Sequence, residues 1–118
     1  MIPLSLLFTA CSSKEESDYI FGISNAFSLG QSDSYAVMSY VESRIDLNEK
    51  IVIKSASEQD ASELAIQEFN SRLTAINDAE LDTMFKGSDY YSLILKESAA
   101  AGEEKPELAR KTWPTSRQ

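Results

Sequence analysis

Apolar and polar positions recur along this chain at two periods, and the switches between them mark out its elements. Tyr19-Ile20-Phe21-Gly22-Ile23-Ser24-Asn25-Ala26 is aromatic and β-branched and predicts a first strand. Its one glycine, Gly22, marks a bulge or the close approach of a packed helix. Ser28-Leu29-Gly30-Gln31 has the spacing of a capping box. Beyond it Val37, Val41 and Ile45 fall four residues apart, with Ala36, Tyr40 and Arg44 also on helical spacing, so a first helix with one apolar face is predicted. Leu47 and Ile51-Val52-Ile53 return to a strand signal, interrupted by Asn48 and flanked by Lys50 and Lys54, which predicts a long or bulged second strand.

The second half repeats the alternation. Ala65, Phe69, Leu73 and Ile76 recur at three and four residues and predict a second helix beginning near Asp60. Leu81 to Phe85 alternates, Lys86-Gly87-Ser88-Asp89 is a turn, and Tyr90 to Leu95 alternates again, the signature of a hairpin. Tyr91, Leu93 and Leu95 share one face of the last strand, and Tyr90 and Ile94 share the other. With both faces largely apolar, that strand is predicted to be central in its sheet or to meet a partner. The predicted order is β-α-β-α-β-β. After Glu97 the pattern fades, since Gly102 and Pro106 interrupt the run begun by Ala99-Ala100-Ala101, and residues 99–118 read as a polar tail. Its Trp113, before Pro114, either folds back on an apolar patch of the sheet or anchors a partner.

Composition narrows the class. The chain has 118 residues, 42% hydrophobic and 25% charged, the proportions of one ordinary globular domain. The net charge of -8 argues against nucleic acid as a partner and against electrostatic attachment to anionic lipid, both of which need clustered Lys and Arg. Much of the acid is concentrated: Glu58, Asp60, Glu63, Glu68, Asp78, Glu80 and Asp82 against Arg72 leave six net negative charges. A solvated helix face, with acids favoured near its N-terminus by the dipole, explains this better than a cation site. Lys105, Arg110, Lys111 and Arg117 against Glu107 give the tail three net positive charges, so tail-to-helix contact between copies is one route to a homo-oligomer.

The start of the chain carries the most specific signal. Met1 to Ala10 is uncharged, and Ile2 to Ala10 is too short to cross a hydrocarbon core of about 30 Å as a helix, but long enough for the apolar region of a signal peptide. Phe8-Thr9-Ala10-Cys11 resembles the bacterial lipobox, in which small residues precede a cysteine whose thiol receives a diacylglyceryl group. Phe8 stands where Leu is usual, and no Lys or Arg precedes the apolar run. Residues 1–10 are thus read as a lipoprotein signal peptide and Cys11 as the lipidation site. Ser12 after the cysteine, where the sorting pattern would place Asp to retain the protein, implies passage to an outer membrane. Ser12 to Ser17 is polar and reads as a flexible tether. The competing reading of this stretch is an N-terminal strand with a buried free thiol.

Tyr-Ile-Phe-Gly-Ile at 19–23, the helix containing Gln31 and Ala36, the strand from Ile45 to Ser55, and Asp89-Tyr90-Tyr91-Ser92-Leu93-Ile94-Leu95 together resemble the LPP-twenty family of small bacterial outer-membrane lipoproteins. The resemblance covers roughly residues 18–96 of a domain read as residues 18–98, and Ser24 and Ser32 depart from it. It implies a compact α+β domain, an antiparallel sheet of about four strands with two helices on one face. It also implies a non-enzymatic, lipid-anchored envelope module that contacts the membrane through Cys11, and envelope or flagellar proteins or its own copies besides. A soluble periplasmic binding module without the anchor is the alternative.

Catalysis is poorly supported by the residues themselves. The chain has no histidine, and with Cys11 acylated no Ser or Cys triad of the usual kind can be assembled. Asp78 with Asp82, and Glu80 with Asp82, are spaced as carboxylate pairs, but nineteen acidic residues produce such spacings by chance. Lys86 to Asp89 lacks the alternating oxygen ligands of a Ca²⁺ loop, and no Gly-rich phosphate loop is present. No cofactor, metal or small-molecule substrate is expected.

Overall fold

The computed structural model describes residues 15–115, apart from the side chains of residues 31 and 32. Its elements are β1 (Ser17–Ser28), α1 (Gln31–Arg44), β2 (Ile51–Ser55), α2 (Glu58–Leu73), α3 (Asp78–Asp82), β3 (Tyr90–Glu97) and β4 (Glu107–Trp113). The four strands form one antiparallel sheet in the order β2-β1-β3-β4. The α+β class and the alternation β-α-β-α-β-β are as predicted, with the five-residue α3 as an additional helix.

One face of the sheet holds the core. Phe21 and Ile23 of β1, Ile51 of β2, Tyr91, Leu93 and Leu95 of β3, and Trp113 of β4 are buried there against Val37 and Val41 of α1, Ala61, Ala65 and Phe69 of α2, and Leu81 of α3. Removing each large side chain from water contributes roughly 1.5–3 kcal/mol, so this face dominates the stability of the fold. The periodic reading of Val37, Val41 and Ile45, and of Tyr91, Leu93 and Leu95, matches the buried faces. Strand β3 lies between β1 and β4, a central strand as its two apolar faces predicted. Ser57 caps α2 by accepting from the Asp60 amide at 3.1 Å.

Several local expectations are corrected. Ser28 is the last residue of β1, paired with Tyr90, and the N-cap of α1 is Gly30, which makes no side-chain bond, so the capping box is absent. Gly22 sits in regular pairing; a Cβ there would meet only the Lys50 side chain, whose Nζ lies 3.0 Å away, so neither a bulge nor a helix explains it. Strand β2 has five residues and no bulge, because Asp46 closes a turn ahead of it: the Asn48 amide donates to Asp46 Oδ1 at 2.9 Å and the Glu49 amide to the Asp46 carbonyl at 3.2 Å.

The predicted hairpin between Leu81 and Leu95 does not form. Asn77 accepts from the Glu80 amide at 3.0 Å and starts α3, so Leu81 and Phe85 are buried four residues apart on helical rather than strand spacing. The strand that pairs with β3 in its place comes from the stretch read as a polar tail. Glu107–Trp113 aligns Trp113 with Tyr91 and Arg110 with Ile94, with an irregularity beside Leu95 and Lys96. Trp113 is therefore a strand residue of the sheet, not part of a tail folded back on it, and its side chain is fully buried in the core.

Candidate functional site

Cys11, the residue the sequence marks most strongly, lies outside the described residues, together with residues 1–10 of the predicted signal peptide, residues 12–14 of the tether, and Arg117. Among the described residues, the acidic positions singled out for chemistry are engaged within the chain. Asp78 accepts from Trp113 Nε1 at 2.7 Å through Oδ1 and from Lys111 Nζ at 3.3 Å through Oδ2. Asp82 accepts from the Thr115 amide at 2.8 Å and from its hydroxyl at 2.6 Å. Glu80 accepts from the Tyr40 hydroxyl at 3.3 Å, and that hydroxyl in turn accepts from the Asn77 amide at 3.0 Å. The carboxylates of Asp78 and Asp82 therefore fasten α3 to the end of β4 and do not face each other across a cleft. The positive charges of the C-terminal stretch meet acids of the same chain, Lys105 with Glu58 at 3.7 Å and Lys111 with Asp78.

One carboxyl pair does form, between residues 39 positions apart that no local pattern links. Glu97, at the end of β3, holds Glu58 of α2 below the usual carboxylate range by hydrogen bonding, with Lys105 assisting. Glu97 is itself held above that range by the same partner. Lys105 stays protonated beyond its ordinary range because Glu103, then Glu97, face it, so it is not a candidate base. Glu58 is exposed, Glu97 and Lys105 are half-buried, and together they tie the start of α2 to the β3–β4 connection. No three acidic side chains among the described residues are placed to hold a metal ion.

The geometry best suited to a ligand lies along β1. Strand β2 pairs with β1 only from Ser17 to Phe21, so the remainder of β1 extends past it. The Ser98 amide donates to the Ile20 carbonyl at 2.8 Å, which fixes the even-numbered residues of β1 as those directing N–H and C=O toward β3. The odd-numbered residues direct theirs to the β2 side. Ile23, Asn25 and Phe27 thus point their backbone groups where no strand of the described residues lies. A groove of about 690 Å³ runs there, lined by Ile23 and Asn25 of β1, Glu42 of α1, and Ile45, Asp46 and Leu47 after it.

At the floor of this groove Asn25 Nδ2 donates to the Tyr91 hydroxyl at 3.1 Å. Tyr91 is fully buried, and its ring stacks on Phe27 with centroids 5.9 Å apart. Burial pushes the Tyr91 hydroxyl above the ordinary tyrosine range; the Asn25 bond opposes that shift and the Glu42 charge adds to it. The face of the sheet away from the core shows Ile20, Val52 and Tyr90 exposed, with Ser92 and Thr112 bonded hydroxyl to hydroxyl at 2.7 Å.

No family model matches the chain, and neither a curated protein nor a solved structure is found to be similar to it.

Proposed function

We propose that this protein is a non-enzymatic, lipid-anchored outer-membrane lipoprotein of the LPP-twenty type, an interaction module of the bacterial envelope whose partners are envelope or flagellar proteins. The observation that carries this reading is Cys11, placed after the apolar run Ile2 to Ala10 and only six residues ahead of Ser17, where β1 begins. Each acyl CH₂ buried in a bilayer contributes about 0.8 kcal/mol, and several chains together hold a protein durably. Six residues span at most about 20 Å. A lipid on Cys11 therefore holds the Ser17 end of the sheet, with Ser55 opposite it, close to the membrane surface. The engagement of Asp78, Glu80 and Asp82 in internal bonds supports a binding rather than a catalytic role.

Mass spectrometry of the mature N-terminus tests the anchor. Diacylglyceryl and acyl additions on Cys11 are expected, together with loss of membrane fractionation in Cys11→Ala; an unmodified thiol on a mature chain overturns it.

A further inference from the structure

We propose that the edge of β1 from Ile23 to Phe27, which pairs with no strand among the described residues on its β2 side, is a strand-addition site for an extended, Lys- or Arg-bearing segment of another protein. The inference rests on the interaction role argued above but not on the anchor. Exposed strand edges are templates for pairing, and folded proteins blunt them with charge, proline or bulges. The other two edges here are blunted in those ways. Strand β2 is five residues long and carries Lys54. Strand β4 carries Glu107, Arg110 and Lys111, is flanked by Pro106 and Pro114, and has an irregular register. Ile23-Ser24-Asn25-Ala26-Phe27 has no charge, no proline and no bulge.

The backbone supplies the affinity and the walls supply the selectivity. Three residues, Ile23, Asn25 and Phe27, offer an N–H and a C=O each at the two-residue repeat that an incoming strand requires. Phe27 is 42% exposed at the open end and gives an apolar contact for an alternate side chain. Glu42 and Asp46 both line the groove, with no basic side chain in its lining. Glu42 has no ion-pair partner among the described residues, and the nearby Arg44 instead lies 5.0 Å over the Tyr40 ring. This wall selects a basic occupant. A second copy is disfavoured, because pairing this edge with itself would bring two sets of Glu42 and Asp46 together in a chain of net charge -8.

Residue-resolved amide exchange on the full chain, with a short peptide alternating lysine and valine and a matched peptide alternating glutamate and valine, tests this. The lysine peptide should slow exchange at Ile23, Asn25 and Phe27 about tenfold or more. The amides of Ser24 and Ala26, already bonded to β3, should not change and report that the sheet is intact. Glu42→Lys combined with Asp46→Asn should abolish the protection while leaving Ser24 and Ala26 unchanged. The proposal is overturned if the lysine peptide leaves the three amides unchanged, or if the glutamate peptide protects them equally. It is also overturned if they are protected in the free protein, whether at all dilutions by the chain itself or increasingly with concentration by a second copy. The modification state of Cys11 is read independently by mass, so failure here and failure of the anchor are distinguishable.

Discussion

Trp113 Nε1 donates to Asp78 Oδ1 at 2.7 Å, joining the last residue of the last strand to the first residue of the shortest helix. The indole is fully buried, so its one donor has to find an acceptor or remain unpaired in the interior. Asp78→Ala is expected to destabilise the protein by about 1–3 kcal/mol, the cost of a buried donor left without a partner. Asp78→Asn keeps an acceptor at Oδ1 and should cost less. Trp113→Ala should cost about 3–5 kcal/mol through the cavity it leaves. Urea unfolding followed by far-UV circular dichroism measures all three; equal stability of Asp78→Ala and wild type would show that the bond contributes nothing net.

Removal of residues 106–118 should abolish cooperative folding. Strand β4 covers the edge of β3 and supplies Trp113 to the same core as Tyr91, Leu93 and Leu95. Without it a central apolar strand becomes an exposed edge prone to aggregation. Thermal unfolding of the shortened chain is the measurement, and a retained sharp transition near the wild-type midpoint would restore the view of this segment as a dispensable tail.

Alkaline pH should weaken the fold through Tyr91. Burial, the largest cause, raises its folded value above the unfolded value near 10. The neutral phenol is thus favoured in the folded state, its contribution is complete below pH about 10, and it is lost as pH rises from there through the folded value. Tyr91→Phe removes the titrating group and should flatten the stability profile above about pH 10. A profile that falls equally steeply in the variant would assign the loss to other groups.

The glycines should separate by backbone geometry. Gly22 lies in regular strand, and the atom a Cβ would meet is the flexible end of Lys50. Gly22→Ala should therefore be neutral or stabilising by up to about 1 kcal/mol. Gly87 has φ of 58°, so Gly87→Ala should cost about 1 kcal/mol although nothing stands within 4 Å of where the added Cβ would lie. Denaturant midpoints compare the two, and a larger loss at Gly22 would mean that Lys50 is held rigidly.

The residues that announced their positions did so because period and burial agreed. Val37, Val41 and Ile45 repeat at helical spacing and are buried on one side; Tyr91, Leu93 and Leu95 repeat at strand spacing and are buried on the other side of the same core. Leu81 and Phe85 satisfied both periods, and the decision fell to a cap, Asn77 on Glu80, that is weak evidence in a sequence and strong in a structure. Strand β4 was hidden because only Leu108, Ala109 and Trp113 are apolar in it, and edge strands need only one covered face. The β1 edge was legible as a strand but not as a site. Its exposure depends on β2 beginning opposite Phe21, at Ile51, a fact of register that no local pattern carries.

The sheet order has a consequence in time. Strand β1 pairs with β3 across spans such as Phe21 with Glu97, and β3 gains its second neighbour only when Trp113 reaches Tyr91. Contacts between such distant positions are slow to close. Residues up to Trp113 must have left the ribosome before the sheet can be completed, so β3 waits with one side unpaired until the last of the described strands is made.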